Sequence, residues 1–242
     1  MNPRDRLIFA LDVNSTEEAL DLVRRLAGEV GIFKVGLELF VAEGPAVLEQ
    51  IGKAGARALF LDLKLNDIPA TMCAAAKTAS GLGVDYLTCH CEQAGIFEGL
   101  DLGRTRLLAV TVLTSLGPED LKAMGYPPPL QDPRALVLHR ARLALAAGAA
   151  GVVCSGHEAA DVRQALGPQA LVVCPGIRPA AKPGASADDQ KRIVTPEQAL
   201  AAGASHIVVG RSIRRAGDPV QAARQVVEGI KAGLAQECCF SD

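Results

Sequence analysis

The stretch Leu7-Ile8-Phe9-Ala10-Leu11-Asp12-Val13-Asn14 reads as an apolar strand that ends on a carboxylate. The first strand of an open, doubly wound sheet is usually followed by a glycine-rich turn, where the backbone must approach a dinucleotide's pyrophosphate. Asp12-Val13-Asn14 supplies no such turn. Seven further runs of the same kind follow, at Ile32–Leu37, Ala58–Leu65, Tyr86–Cys91, Leu107–Leu113, Gly151–Ser155, Ala170–Cys174 and His206–Gly210. The segments between them carry helical spacing: Ala19, Leu22, Val23, Leu26 and Val30 share one apolar face, and Val220, Ala223, Val226, Val227, Ile230 and Leu234 share another. Helix entries are marked by Ser15 three residues before Glu18, a capping-box spacing, and by Thr195-Pro196 and Asp218-Pro219. Gly55, Gly83, Gly148 and Gly203 mark exits shortly before strands. Strand and helix thus alternate throughout, with no linker. Eight such units predict an α/β fold, a single (β/α)8 TIM barrel forming one domain over residues 1–242. Gly117–Pro133, which contains Tyr126-Pro127-Pro128-Pro129, is too proline-rich for a helix core and is expected to be an irregular excursion after the fifth strand.

Composition removes several classes of function. With 25 Lys+Arg against 27 Asp+Glu, the chain offers no basic face for nucleic acid. No stretch of ~18 uncharged apolar residues could cross a membrane, and Met1-Asn2-Pro3-Arg4-Asp5-Arg6 lacks the apolar run of a signal peptide. A cytoplasmic location with reduced, buried thiols is therefore expected for the seven cysteines, of which Cys89, Cys154 and Cys174 lie in strand-like runs. Cys89-His90-Cys91 is not expected to bind metal, because strand neighbours alternate faces and no second ligand pair stands at finger-like spacing. Cys238-Cys239 belong to an expected frayed tail, adjacent cysteines rarely meeting disulfide geometry.

In a barrel of this kind the reactive groups stand at the carboxyl ends of the strands. There the chain places Asp12, Lys34, Asp62, Lys64, Asp67, His90 and Arg211. The third run is the most informative. In Leu61-Asp62-Leu63-Lys64-Leu65 the two charges sit at i and i+2 and share one face, while the leucines share the other. With the leucines against the helices, Asp62 and Lys64 face the barrel interior, where a lone charge is costly and must be paired. Lys34 on the neighbouring strand and Asp67 in the adjoining turn would complete two cations and two anions in one cluster. Such alternation keeps each ammonium charged despite burial, as a proton donor to carbon requires. Asp67-Ile68-Pro69 also reads as a helix entry. After the seventh and eighth runs, Pro175-Gly176-Ile177-Arg178-Pro179 and Val209-Gly210-Arg211-Ser212 offer an anion site, a place where barrels frequently bind phosphate.

Asp62-Leu63-Lys64-Leu65-Asn66-Asp67-Ile68-Pro69-Ala70-Thr71 resembles the DxKxxDIPxT signature of the orotidine 5′-phosphate decarboxylase family. Ala10-Leu11-Asp12, Phe33-Lys34-Val35-Gly36, Val112-Leu113-Thr114-Ser115, Pro175-Gly176-Ile177-Arg178-Pro179, Asp189-Gln190-Lys191-Arg192-Ile193 and Val209-Gly210-Arg211 join it in the family's order across nearly the whole chain. The resemblance implies decarboxylation of orotidine 5′-monophosphate to UMP and carbon dioxide, the last step of de novo pyrimidine synthesis, with neither metal nor organic cofactor. It further implies that Lys64 donates the proton to C6, that Asp62 sits against the scissile carboxylate, and that Lys34 holds the network and the ribose. Asp67 and Thr71 would reach the partner's site across a homodimer interface. Asp12 would bind ribose, Thr114 (ahead of Ser115) the pyrimidine edge, and Arg178, Gln190, Gly210 and Arg211 the phosphate and its closing loop. Two segments depart from the family pattern: a longer loop from Ala180 to Asp189, and His90-Cys91-Glu92-Gln93 in place of small residues.

The main alternative is a metal-dependent sugar-phosphate decarboxylase or epimerase that shares the DxKxxD core. Relatives of that kind carry a glutamate metal ligand where Lys34 stands and lack the Ile-Pro-x-Thr sequence, and a second cation opposes Mg2+ binding. A catalytically silent nucleotide-phosphate-binding barrel is the other alternative, and the intact interior charges argue against it.

Overall fold

Side chains alternate along a strand, so a strand buried on both sides needs apolar residues at both parities. The eight runs meet that condition. In the computed structural model, which describes residues 2–179 and 194–237, they form β1 (Leu7–Leu11), β2 (Ile32–Gly36), β3 (Leu59–Leu65), β4 (Tyr86–Cys89), β5 (Arg106–Val110), β6 (Gly151–Val153), β7 (Leu171–Cys174) and β8 (His206–Val209). All are parallel and pair in sequence order, and β8 closes onto β1 with Leu7 opposite Ile207, giving a (β/α)8 barrel. One parity fills the interior with Ile8, Ala10, Ile32, Phe60, Leu108, Val173 and Val208. The other, including Phe9, Leu11, Phe33, Val35 and Leu61, packs outward against the helices.

The helices are α1 (Thr16–Leu26), α2 (Leu37–Glu43), α3 (Ala46–Lys53), α4 (Pro69–Gly81), α5 (Pro118–Ala123), α6 (Pro133–Ala146), α7 (Ala159–Leu166), α8 (Pro196–Ala201), α9 (Arg211–Arg214) and α10 (Pro219–Glu237). Their entries follow the capping chemistry. The Ser15 hydroxyl accepts the Glu18 N–H, Thr195 and Gln198 form a reciprocal capping box, and Asp218 accepts from the N–H groups of Val220 and Gln221. Gly55, Gly83, Gly148 and Gly203 all adopt positive φ at helix exits.

Two segments differ from the sequence reading. Strand–helix alternation breaks between β4 and β5, where residues 90–105 make turns instead of a helix. Gly95, Gly99 and Gly103 each take positive φ there, a conformation no right-handed helix admits. The segment docks on the end of α6, Gly95 N–H donating to Ala146 C=O and Phe97 N–H to Ala147 C=O. Conversely, the proline-rich excursion after β5 contains the short helix α5, with Pro118 in its first turn, where a missing N–H costs nothing. Tyr126 then anchors the excursion, its hydroxyl accepting from Arg140 of α6, whose guanidinium also donates to Thr111 C=O.

At the opposite end of the barrel, His206 begins β8 inside the wall, 2% exposed, with its ring edge-on to Tyr86 at 5.6 Å. Burial, reinforced by Arg6 and Arg106, lowers its pKa to about 4. The folded protein therefore holds His206 neutral while the unfolded chain takes up a proton near pH 6.5, so stability is present above that value and is lost as pH falls towards 4. The expected loss is about 3 kcal/mol. Urea denaturation at pH 7 and pH 4 checks this: His206→Phe, which packs on Tyr86 but does not titrate, should show a correspondingly smaller fall than the unsubstituted protein.

Candidate active site

Strand β3 delivers its charges through an irregularity. Its pairing with β4 jumps from Leu61 opposite Leu87 to Leu65 opposite Cys89, so four steps along β3 are matched by two along β4. Within this bulge Lys64 takes a left-handed backbone conformation, φ +54°, which is costly for a residue with a Cβ. Asp62 and Lys64 share the inner face, as their spacing predicts, and Lys64 Nζ donates to Asp62 Oδ1 at 2.8 Å. Lys34 of β2, buried, lies 3.4 Å from Asp62 Oδ2 and 3.2 Å from Asp12 Oδ1 at the end of β1. The result is a chain of alternating charge, Asp12–Lys34–Asp62–Lys64. Burial pushes the Asp62 carboxyl up, but Lys34, Lys64 and a hydrogen bond from Thr88 together outweigh it and hold the pKa below the ordinary value.

The cluster expected from the sequence is corrected in one member. Asp67 is exposed, and its carboxylate accepts from the N–H of Ile68 at 2.7 Å, so within one chain the second anion is Asp12. The reason is geometric: face parity constrains strand residues but not a residue two positions past the strand's end. Thr71 is likewise exposed, on the first turn of α4.

A cavity of about 190 Å3 lies beside the network. Lys34, Asp62 and Lys64 line it together with the apolar side chains of Phe60, Val110, Val112, Val153 and Val208. Thr114, just past β5, and Pro175, just past β7, stand at its rim and also border a wider hollow of about 550 Å3. Arg178 follows β7 and Arg211 opens α9 directly after β8, both exposed. Gly210 packs against β1: a Cβ there would lie 3.2 Å from Ala10 Cβ and 3.4 Å from Asp12 Oδ2, so the glycine leaves the Asp12 carboxylate its room. Gln190 and the loop from Ala180 to Asp189 lie outside the described residues, as do Cys238 and Cys239. Cys89 and Cys91 are buried on the helix-facing side with their Sγ atoms 3.6 Å apart, and no group of three or more His, Cys, Asp or Glu side chains is placed to hold a metal among the described residues.

Sequence reasoning missed Thr88, which bonds both Asp62 and Lys64. Its inward parity, shared with Tyr86 two residues earlier, was the available signal.

The "Orotidine 5'-phosphate decarboxylase / HUMPS family" matches this chain over residues 5–226. The chain belongs to that family. Among relatives, it is 48% identical over 235 residues to the orotidine 5′-phosphate decarboxylase of Anaeromyxobacter sp. (strain K), covering 95% of this chain and all of that one. It is 46% identical to the enzyme of the same name from Rhodopseudomonas palustris (strain BisB5), covering 94% and 95%. Among solved structures, the orotidine 5′-phosphate decarboxylase from Lactobacillus acidophilus superposes with a TM-score of 0.78 at 32% identity, covering 93% of this chain and 99% of that one. The fold of this chain places the charged network, the cavity, Arg178 and Arg211 at or after the carboxyl ends of the barrel strands.

Proposed function

We propose that this protein decarboxylates orotidine 5′-monophosphate to UMP and carbon dioxide, the last step of de novo pyrimidine synthesis, and that the Asp12–Lys34–Asp62–Lys64 network is its reaction centre. The observation that carries the reading is Lys64 Nζ held 2.8 Å from Asp62 beside an apolar cavity. Breaking the bond from C6 to the carboxylate leaves an electron pair on C6. A preorganised ammonium stabilises that charge and then delivers its proton to the same carbon. Lys64 does both, and solvent reprotonates its amine after UMP forms. Asp62 fixes the ammonium and lies against the departing carboxylate, while Lys34 braces Asp62 from the other side.

Asp12 and Lys34 hold the ribose, Thr114 meets the pyrimidine edge, and Arg178, Gln190, Gly210 and Arg211 take the phosphate. Phosphate binding remote from the reacting carbon can be used to organise the charged network, which raises the rate and not merely the affinity. The metal-dependent sugar-phosphate reading is not favoured: Lys34 Nζ occupies the space between the two carboxylates that a divalent cation would need.

The active unit in this reading is a homodimer in which Asp67 and Thr71 enter the partner's site. Val41 of α2 is 79% exposed, and Ile68, next to Asp67, is 67% exposed. Val41 stands on the helix that follows β2 and Ile68 at the entry to α4 after β3, two exposed apolar side chains available to an isologous contact. Five free thiols among the described residues fit the reducing cytoplasm.

Given orotidine 5′-monophosphate, the purified protein should release UMP and carbon dioxide in equal amounts, as read by chromatography and gas capture. Given a 3-keto sugar phosphate with Mg2+, it should release none. The reverse pattern would transfer the chain to the sugar-phosphate branch.

A further inference from the structure

We propose that Thr88 is a positioning residue whose hydroxyl sets the register of the Asp62–Lys64 pair. Thr88 is fully buried and is the one β4 residue between the two points where the β3–β4 pairing jumps. Its Oγ1 accepts the Lys64 backbone N–H at 2.9 Å and donates its own proton to Asp62 Oδ1 at 2.9 Å. Both hydrogen-bonding capacities of the hydroxyl are thereby directed at the two charged residues, one at a backbone and one at a side chain. This matters because Lys64 stands at positive φ inside a bulge, where the regular ladder no longer serves its N–H. Without this acceptor the Lys64 N–H is left unpaired within the bulge, and the ammonium at the end of the side chain is held less closely beside the cavity, although pairing resumes at Leu65 and Cys89.

The inference rests on the catalytic roles assigned to Asp62 and Lys64 above. Thr88→Val keeps the shape and removes the hydroxyl, whereas Thr88→Ser keeps the hydroxyl and removes a methyl. Thr88→Val should lower kcat roughly 10- to 100-fold, the scale of an ångström-level misplacement, with KM for orotidine 5′-monophosphate changed little. Thr88→Ser should stay within a few-fold of the unsubstituted protein. The acid limb of the pH profile gives a second readout. Asp62 is faced by Lys34 from β2, with Asp12 of β1 beyond it, by Lys64 on its own strand, and by Thr88 on β4, with His90 near Lys64 at the end of that strand. Removing the Thr88 donor takes away one interaction that favours the carboxylate, so the limb moves to higher pH in Thr88→Val.

Normal kcat and an unmoved acid limb in folded Thr88→Val would overturn the proposal. Equal impairment of Thr88→Val and Thr88→Ser would overturn it too, because packing and not the hydroxyl would then be at work. Lys64→Ala, measured alongside, separates this failure from failure of the underlying reading: full activity there would remove the reaction centre itself.

Discussion

Lys64→Ala lowers turnover of orotidine 5′-monophosphate by roughly four orders of magnitude or more and leaves the barrel folded. General acid catalysis by a positioned side chain contributes about 10²- to 10⁴-fold, and one preorganised donor at a developing charge contributes about 10²- to 10³-fold. In the proposed reaction Lys64 performs both tasks through one nitrogen, so its loss should remove both together. The fold tolerates the change because Asp62 keeps Lys34 at 3.4 Å and the Thr88 hydrogen bond, and because the Lys64 side chain is about one-third exposed. Steady-state kinetics together with a circular dichroism melt checks the result. Near-normal turnover by a folded Lys64→Ala protein would assign the proton to another donor.

The second large effect belongs to Asp67. Its carboxylate is exposed and engaged only with its neighbouring N–H among the described contacts, yet in the dimeric reading it completes the partner's charge network. Asp67→Ala alone should therefore be nearly as inactive as Lys64→Ala alone. Mixed and allowed to exchange, the two inactive proteins should regain activity, because each hybrid dimer holds one site with both residues intact. Random pairing of equal amounts makes half the dimers hybrid, so about one quarter of the unsubstituted activity should return. No recovery, once subunit exchange is demonstrated by differential labelling, would place the whole site within one chain.

Much of this architecture is legible in the amino-acid sequence, for a physical reason. Strand burial on two faces enforces apolar runs, and all eight runs become barrel strands. Period-2 alternation likewise places Asp62 and Lys64 together on the inner face. What periodicity does not encode is an interruption of itself. The bulge that turns Lys64 left-handed, and the Thr88 hydroxyl that fills it, involve a register jump between two strands that neither strand announces. The missing helix between β4 and β5 is hard to read because Gly95, Gly99 and Gly103 interrupt only one unit of an otherwise regular strand–helix repeat. Asp67 adjoins the cluster in sequence, but a loop side chain takes its direction from local hydrogen bonding, here with Ile68 N–H. Arg178 and Arg211 are legible as candidate anion-binding residues from their position after β7 and β8, while the assignment of a phosphate to them comes from the family resemblance.

In the proposed reaction the protein's own ammonium groups, and not a metal, supply the electrostatic stabilisation. The most direct test follows the ultraviolet absorbance change of orotidine 5′-monophosphate with purified protein, before and after exhaustive EDTA treatment, and again with added Mg2+. Identical rates in all three conditions are the predicted result. A rate abolished by EDTA and restored by Mg2+ would contradict the account and give the Asp12–Lys34–Asp62–Lys64 chain a different chemistry.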